Sequence, residues 1–480
     1  MPLVLGGSAV VTPAYSITNS CRFNLADSAY MTKTLGTPSS QKQFTFSCWF
    51  KRGLLGAHMT LMSAGNTSDA IYTSYRYENN GVMRANVDSA NSDTLQTDQM
   101  FKDVSAWYHI VVTVDTPNAV EAERIRFYIN GTRLTGPWGQ EGYPTQDADI
   151  GSFASGEGLQ IGRRIRAEDQ YLDGYMAEAL FCDGQAYDAS DFGEFDSASP
   201  TIWKPTDPSE LTFGNNGFWL DFKDSANLGN DANGGTDLTE TNLAANDQAT
   251  DTPTNNFAVM NPVDNYFASG TFTQGNCNIV HPSSSNNAFC TSTIWLSSGK
   301  WYAEAKVVTT ATGDGQLIGM SSVVSPAASN AGSLGETTAN YGYYGNDGGY
   351  RHNASTISYG SAYGVNAIIG IYLDLDNNKL YFGEDGTIQN SGTGITIIAA
   401  SLQPSGLYTM GGGDWTSSTG VQWAWNFGGC SAFDVTSAQQ DVNGYGNFEY
   451  SPNDGGSASF DSSAKDFLAI CTKNLGSDGG

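Results

Sequence analysis

Apolar and polar residues alternate in short runs along the whole chain, and clusters of Gly, Asn, Asp and Ser separate the runs. Phe44, Phe46, Cys48 and Phe50 fall on one face of a strand, with Thr45, Ser47, Trp49 and Lys51 on the other, because successive strand side chains point to opposite sides. The run Trp107–Asp115 is apolar on both faces and predicts a central sandwich strand. Residues 124–129 alternate, and the Asn130-Gly131 that follows predicts a tight hairpin turn, since both residue types tolerate positive φ; 132–134 is then the return strand. Further strands are expected over 159–163 and 173–181. In the second half, 298–308 predicts a strand after a turn, and 369–382 a hairpin turning at 376–378. Val421, Trp423, Trp425 and Phe427 make the apolar face of another strand. No window carries the apolar stripe of an amphipathic helix. The pattern predicts an all-β chain of two antiparallel β-sandwich (jelly-roll) domains.

Length and composition narrow the function classes. At 480 residues the chain can hold two large cores, since single cores stop growing at roughly 250 to 300 residues. Forty-nine acidic residues against 22 basic ones give a formal charge of -27, which repels nucleic acid and anionic membrane surfaces. No run reaches the roughly 20 apolar residues of a membrane span, so membrane insertion is not expected. The N-terminus lacks a signal-peptide pattern, which predicts synthesis in a cytoplasm. Seven cysteines, Cys21, Cys48, Cys182, Cys277, Cys290, Cys430 and Cys471, show no metal or disulfide spacing and are expected as free thiols.

Residues 201–264 are rich in Asn, Asp, Gly, Thr and Pro. A stretch this long without regular structure is uncommon inside a domain, so it predicts an ordered connector, anchored by Trp219, Phe222 and Phe257. The expected organisation is an N-terminal segment 1–13, a sandwich 14–200, the connector 201–264 and a second sandwich 265–480.

Motif order adds a resemblance. "FTFSCWFK", "WYHIVVTVD", "RIRFYINGTRL", "LQIGR" and "LDGYMAEALFCDGQAY", in that sequence, resemble laminin-G-like and concanavalin-A-like sandwiches over about 14–200. "SGKWYAEA", "IGIYLDLDNNKLYF", "WNFG" and the terminal "DFLAICTKNL" resemble the SPRY domain over about 265–476. The connector, from "GFWLDFKDSANLGNDANGG" at 217–235 to "DTPTNNFAVMNP" at 251–262, looks like the one that joins such domains in bacteriophage proteins. The resemblance implies a virion surface protein of the tail or capsid, made in the host cytoplasm, that attaches to a host glycan or receptor or organises neighbouring virion proteins; a cell-encoded carbohydrate-binding lectin or adhesin, and after it a polysaccharide depolymerase, are the alternative readings. A homo-oligomer, a trimer in particular, is expected because many copies turn weak sugar contacts into stable adhesion.

Candidate chemistry is sparse. Glu121 and Glu123 beside Arg124 lack the third acid and aromatic cleft of a glycosidase, and the four histidines have no ligand spacing, so no enzyme and no catalytic residues are expected. Asp374, Asp376, Asn378 and Asp385 partly mimic a calcium loop, but Lys379 replaces its glycine and a hairpin turn explains the run better. Asp221, Asp224, Asp231 and Asp237 offer clustered oxygen ligands in the connector, and calcium is the ion they would hold; a series of Asx turns is the competing reading. No other cofactor is expected. For ligand recognition, sugars need aromatic platforms beside hydrogen-bonding side chains. The stretch 340–352 supplies Tyr341, Tyr343, Tyr344, Asn346, Asp347, Tyr350 and Arg351, and the Gly-rich turn at Trp415 is a second candidate; packing against the core is the competing role.

Overall fold

The computed structural model describes residues 15–67, 71–87, 93–264, 270–281, 288–310, 315–324, 332–415, 420–453 and 466–477. The expected N-terminal segment 1–13 lies outside them. The chain divides into two compact units, one ending at Thr254 and the other beginning at Asn255. Among the described residues the structure is strands, short 3-10 turns and one helix, Thr472–Ser477, and no helix is long and apolar enough to cross a membrane.

In the first unit, two eight-stranded sheets face each other. One is centred on Gln43–Arg52, flanked by Trp107–Asp115 and Gly174–Asp183. The other runs from Trp138–Glu141 through Thr94–Met100, Val82–Asn86, Tyr72–Tyr77, Met59–Gly65, Gly158–Ile161 and Tyr30–Thr34 to Thr239–Thr241. The alternation at 44–50 predicts the inner face correctly: Phe44, Phe46, Cys48 and Phe50 are fully buried, with Phe46 against Tyr75 and Phe50 against Tyr77 of the facing sheet. Each such side chain contributes about 1.5 to 3 kcal/mol by leaving water. Asn130 and Gly131 have φ of 47° and 74° and close the expected hairpin, with Thr132 opposite Ile129.

The other face of Gln43–Arg52 is buried as well. Residues 185–219 lie over it, and Ala189, Phe192, Phe213 and Trp203 pack with Val111, Tyr128 and Leu180. Thr45 and Thr113 donate to the carbonyls of Gln185 and Tyr187, so their burial leaves no hydroxyl unsatisfied.

This layer corrects the expected connector. Phe218–Leu220 pairs with Gly174–Asp183, Thr239–Thr241 with Tyr30–Thr34, and Gln248–Ala249 with Ser20–Phe23, so 201–254 completes the first sandwich. Residues 255–264 belong to the second unit, where Ala258 and Met260 enter the core and Phe257 packs with Phe448 and Phe467. The composition reads as linker because the segment pairs in two- and three-residue strands separated by Asx turns, too short to show a period.

In the second unit, a sheet centred on Lys300–Thr309, between Ile368–Asp374 and Gln422–Asn426, packs against a sheet of Ala288–Thr291, Thr409–Asp414, Gln316–Ser321, Asn340–Tyr344, Tyr350–His352 and Ser355–Ile357. Trp423 and Trp425 are fully buried, as the alternation at 421–427 implies. The expected hairpin at 376–378 forms, with Asp374 opposite Lys379 and Asn378 at φ 54°. Asp374 and Asp376 accept hydrogen bonds from the amides of Asn377 and Gly299, which is turn chemistry. All seven cysteines are buried thiols outside any disulfide.

Candidate functional site

Asn340–Tyr344 is a strand inside the second unit's six-stranded sheet, and its side chains alternate. Tyr341 and Tyr343 point inward, 2% and 0% exposed. Tyr341 stacks on His352 at 4.1 Å, and its hydroxyl accepts a hydrogen bond from the Ile398 amide. Tyr343 stacks on Phe382 at 4.9 Å and donates to the Ser361 carbonyl at 2.6 Å; burial raises its pKa above the usual phenol value. Neither can touch a ligand from solvent, which corrects their expected role: a strand sets their direction where the composition suggested a loop. Tyr350, opposite Tyr343, is half-buried and meets Tyr359 edge-on.

The outer face of the same sheet holds the rest. Tyr344 lies opposite Leu317 and packs in a small cluster with Phe289, Leu317 and Leu334, against which Trp415 rests half-buried. The Tyr344 and Trp415 rings meet edge to face at 5.3 Å. Arg351, opposite Gly342, lays its guanidinium over the Trp415 ring, Cζ 3.6 Å from the centroid. It also donates to Glu336 at 2.7 Å and to the Thr356 hydroxyl at 3.2 Å. The structure thus joins Tyr344, Arg351 and Trp415 from segments up to 71 residues apart in sequence, taking 415 minus 344. At the adjoining turn Asn346 and Asp347 are exposed. Asn346 donates to the Tyr344 hydroxyl at 3.3 Å, and Asp347 accepts from the Gly349 amide. A half-exposed indole stiffened by a stacked cation, beside a turn carrying an exposed amide and an exposed carboxylate, offers an apolar platform and hydrogen-bonding groups together. Glu336 was not among the sequence candidates. Its only sequence signal is an opposite charge 15 residues before Arg351, which becomes meaningful once the strands are paired.

The aspartates proposed as metal ligands do not form a cage. Asp221 accepts from the Lys223 amide and pairs with its ammonium at 3.1 Å, and Asp224 accepts from the Ala226 amide. Asp231 Oδ1 accepts from the amides of Trp219 and Asn233. Asp237 accepts from the Asp231 amide and the Asn227 side chain, and those bonds lower its pKa. Among the described residues no group of three His, Cys, Asp or Glu side chains could hold an ion. Burial lowers the Lys33 pKa, and the charges of Asp231 and Asp237 oppose that shift. Each of the four thus accepts from a nearby backbone amide, as the competing reading of a series of Asx turns implies, while Asp231 Oδ2 is buried without a hydrogen-bond partner.

Of the paired acids, Glu121 and Glu123 lie on a 3-10 turn, and Glu123 is held by Arg133 at 2.8 Å. His109 accepts from Trp203 Nε1 at 2.9 Å through Nδ1, so its Nε2 carries the proton and donates to Ser47 Oγ at 2.9 Å. That polarity is the reverse of a histidine activating a serine.

A family model described as the Concanavalin A-like lectin/glucanases superfamily matches residues 26–186. No curated protein matches the chain. Among solved structures, the chain is similar to the SPRY domain of human HERC1, at 16% identity and a TM-score of 0.27 over 35% of this chain and 96% of that one. It is also similar to a native heptameric SAP-like pentraxin from Limulus polyphemus, at 15% identity and 0.26 over 36% and 80%. A third is the Ruminococcus gnavus IT-sialidase CBM40 bound to α2,3-sialyllactose, at 17% identity and 0.22 over 28% and 75%. The laminin-G-like and concanavalin-A-like resemblance of the first half therefore holds for residues 26–186, within an all-β chain of paired antiparallel sheets.

Proposed function

We propose that this chain is a glycan-binding protein without catalytic activity, displayed on a bacteriophage particle as part of its tail or capsid surface. The observation that carries the binding reading is the outer-face cluster of Tyr344, Arg351 and Trp415, with Asn346 and Asp347 at its rim. Such a platform buries the apolar face of a sugar ring and leaves its hydroxyls to the amide and carboxylate. The lectin and glucanase family match over 26–186 supports the same class of ligand. Absence of catalysis is supported by Glu123 being tied to Arg133 and by His109 donating to Ser47. The virion assignment rests on the motif order and on the segment 217–262, and multivalent display as a homo-oligomer would raise weak single-site affinity.

Two measurements test this. A glycan array probed with the full chain and with Trp415→Ala should show binding that the substitution removes, and retention of binding would overturn the site. Antibody labelling of intact virus particles from the source culture should decorate tail or head, and unlabelled particles would overturn the virion assignment in favour of a cell-encoded lectin.

A further inference from the structure

The second unit's six-stranded sheet ends in Ser355–Ile357, which among the described residues pairs on one side alone, with Tyr350–His352. The phase of the ladder shows what its other side offers. The Tyr344 amide donates to the Gly349 carbonyl at 2.8 Å, so Gly342 and Arg351, two residues further along in the same register, are also a hydrogen-bonded pair. The backbone N–H and C=O groups of Tyr350 and His352 therefore point the other way, to Ile357 and Ser355. Alternation then turns the N–H and C=O of Thr356 outward, off the edge of the sheet. Residues 353–358 are all exposed.

An open edge is a template for another strand, and proteins blunt it with charge, proline, a bulge or a cover. The first unit's second sheet does so at both ends: Trp138–Glu141 carries a register shift and Glu141, and Thr239–Thr241 carries Glu240. Ser355–Ile357 has neither charge nor proline, pairs with its neighbour without a shift, and includes the β-branched Thr356 and Ile357. Ile357 lies opposite Tyr350, which lies opposite Tyr343, so the inner-face row that starts in the core runs out at an isoleucine 42% exposed. Charge points to the same edge. No acidic residue occurs between Asp347 and Asp374, in a chain of net charge -27. Glu336, which reaches this region from another segment, is already held by Arg351 at 2.7 Å. Two copies of so acidic a chain repel over most approaches, and this is a place where they can meet without opposing carboxylates.

We propose that Ser355–Ile357 is a self-association edge, on which the same strand of a second copy adds antiparallel with Thr356 opposite Thr356. The two threonines exchange N–H and C=O bonds about a two-fold axis, and Ser355 of each copy faces Ile357 of the other, covering part of the isoleucine. The contact is isologous and closed, so it makes a dimer. A second copy fits better than an unrelated strand because the pairing matches two uncharged edges, whereas a basic partner would be steered to the acidic surfaces of the chain. Directly opposite residues share a face, so the outer faces of the two sheets lie on one side and present two Trp415 clusters together. That consequence rests on the glycan reading above; the association stands on the edge alone.

The test is sedimentation equilibrium of the full chain over a dilution series, at low and high salt and with no glycan present. A mass of two chains that falls to one on dilution, and association that tightens as salt screens the net charge, are the expected results. Ile357→Lys places a charge on an exposed side chain of the edge and should weaken association roughly tenfold or more, while the dilute chain melts as wild type does. Thr356→Pro removes the outward N–H and leaves the inward ladder to Tyr350 and His352, so it should give a folded single chain. Ile357→Lys decides the case even where the proline disturbs the strand. A mass of one chain at every concentration, a mass of three chains, an assembly that Ile357→Lys leaves intact, or one that salt dissociates would each overturn the proposal.

Discussion

Lys51 Nζ lies 2.7 Å from Asp251 Oδ2, and both side chains are about 1% exposed. Two hundred residues separate the pair in sequence. Asp251 also accepts from Trp107 Nε1 at 3.1 Å, and its carbonyl accepts from the Ser20 hydroxyl at 2.6 Å. One carboxylate thus joins the C-terminal end of the first sandwich's central strand to the end of the segment that completes it.

Removing one partner of a buried ion pair strands the other, at a cost of about 3 to 5 kcal/mol. Asp251→Ala should therefore lower the calorimetric midpoint of the first unit by roughly 6 to 20 °C, at about 2 to 4 °C per kcal/mol for a unit of this size. The double variant Lys51→Met with Asp251→Leu should recover most of the loss. A midpoint shift in Asp251→Ala under 2 °C would show that the tether is not needed.

What the sequence disclosed follows from range. The inner face at Phe44, Phe46, Cys48 and Phe50 is a local property of one strand and was legible. The burial of Lys51, Thr45 and Ser47 on the opposite face was not, because the covering layer comes from residues beyond 185 and the compensating acid from 251. The candidate site failed differently. In Asn340–Tyr344 the alternation was present, with Tyr341 and Tyr343 on one face and Tyr344 on the other, but Gly and Asn concealed the strand. The outer-face trio needed strand pairing to bring Arg351 and Trp415 together.

His109 makes the first unit sensitive to acid. Burial lowers its pKa from 6.5 to about 3, so below pH 6.5 the unfolded chain binds a proton that the folded chain refuses. Stability from this group is complete above pH 6.5 and is lost as pH falls toward 3. His109→Gln should be less stable than wild type at pH 7, and the difference should shrink on acidification to pH 5, as followed by urea unfolding. A constant difference would place the acid sensitivity elsewhere.

Glu304 works in the opposite direction in the second unit. Burial raises its pKa to about 7, although the Tyr302 hydroxyl, the Asn426 amide and the Glu449 backbone N–H all donate to it. The folded state holds a proton that the unfolded chain releases near 4.5, so this contribution is full below pH 4.5 and lost as pH rises through 7. Glu304→Gln does not titrate. Whatever its fixed penalty, its stability gap to wild type should narrow between pH 5 and pH 8, and a widening gap would reverse the assignment.

The tyrosines of 341–344 should separate into two kinds under substitution. Tyr343 is fully buried between Phe382 and Tyr363, so Tyr343→Ala opens a cavity and should destabilise the second unit by about 3 to 5 kcal/mol. Tyr343→Phe removes only the bond to the Ser361 carbonyl and should cost about 1 kcal/mol. Neither change touches the outer face. Trp415→Ala should cost less, because the ring is half-exposed and its main contacts are the Tyr344 edge and the Arg351 guanidinium. If the outer face is the glycan platform, binding at saturating folded protein should follow Trp415 and Arg351 and be indifferent to Tyr343→Phe. Loss of binding in Tyr343→Phe, with the fold intact by circular dichroism, would move the contact surface inward and return Trp415 to packing alone.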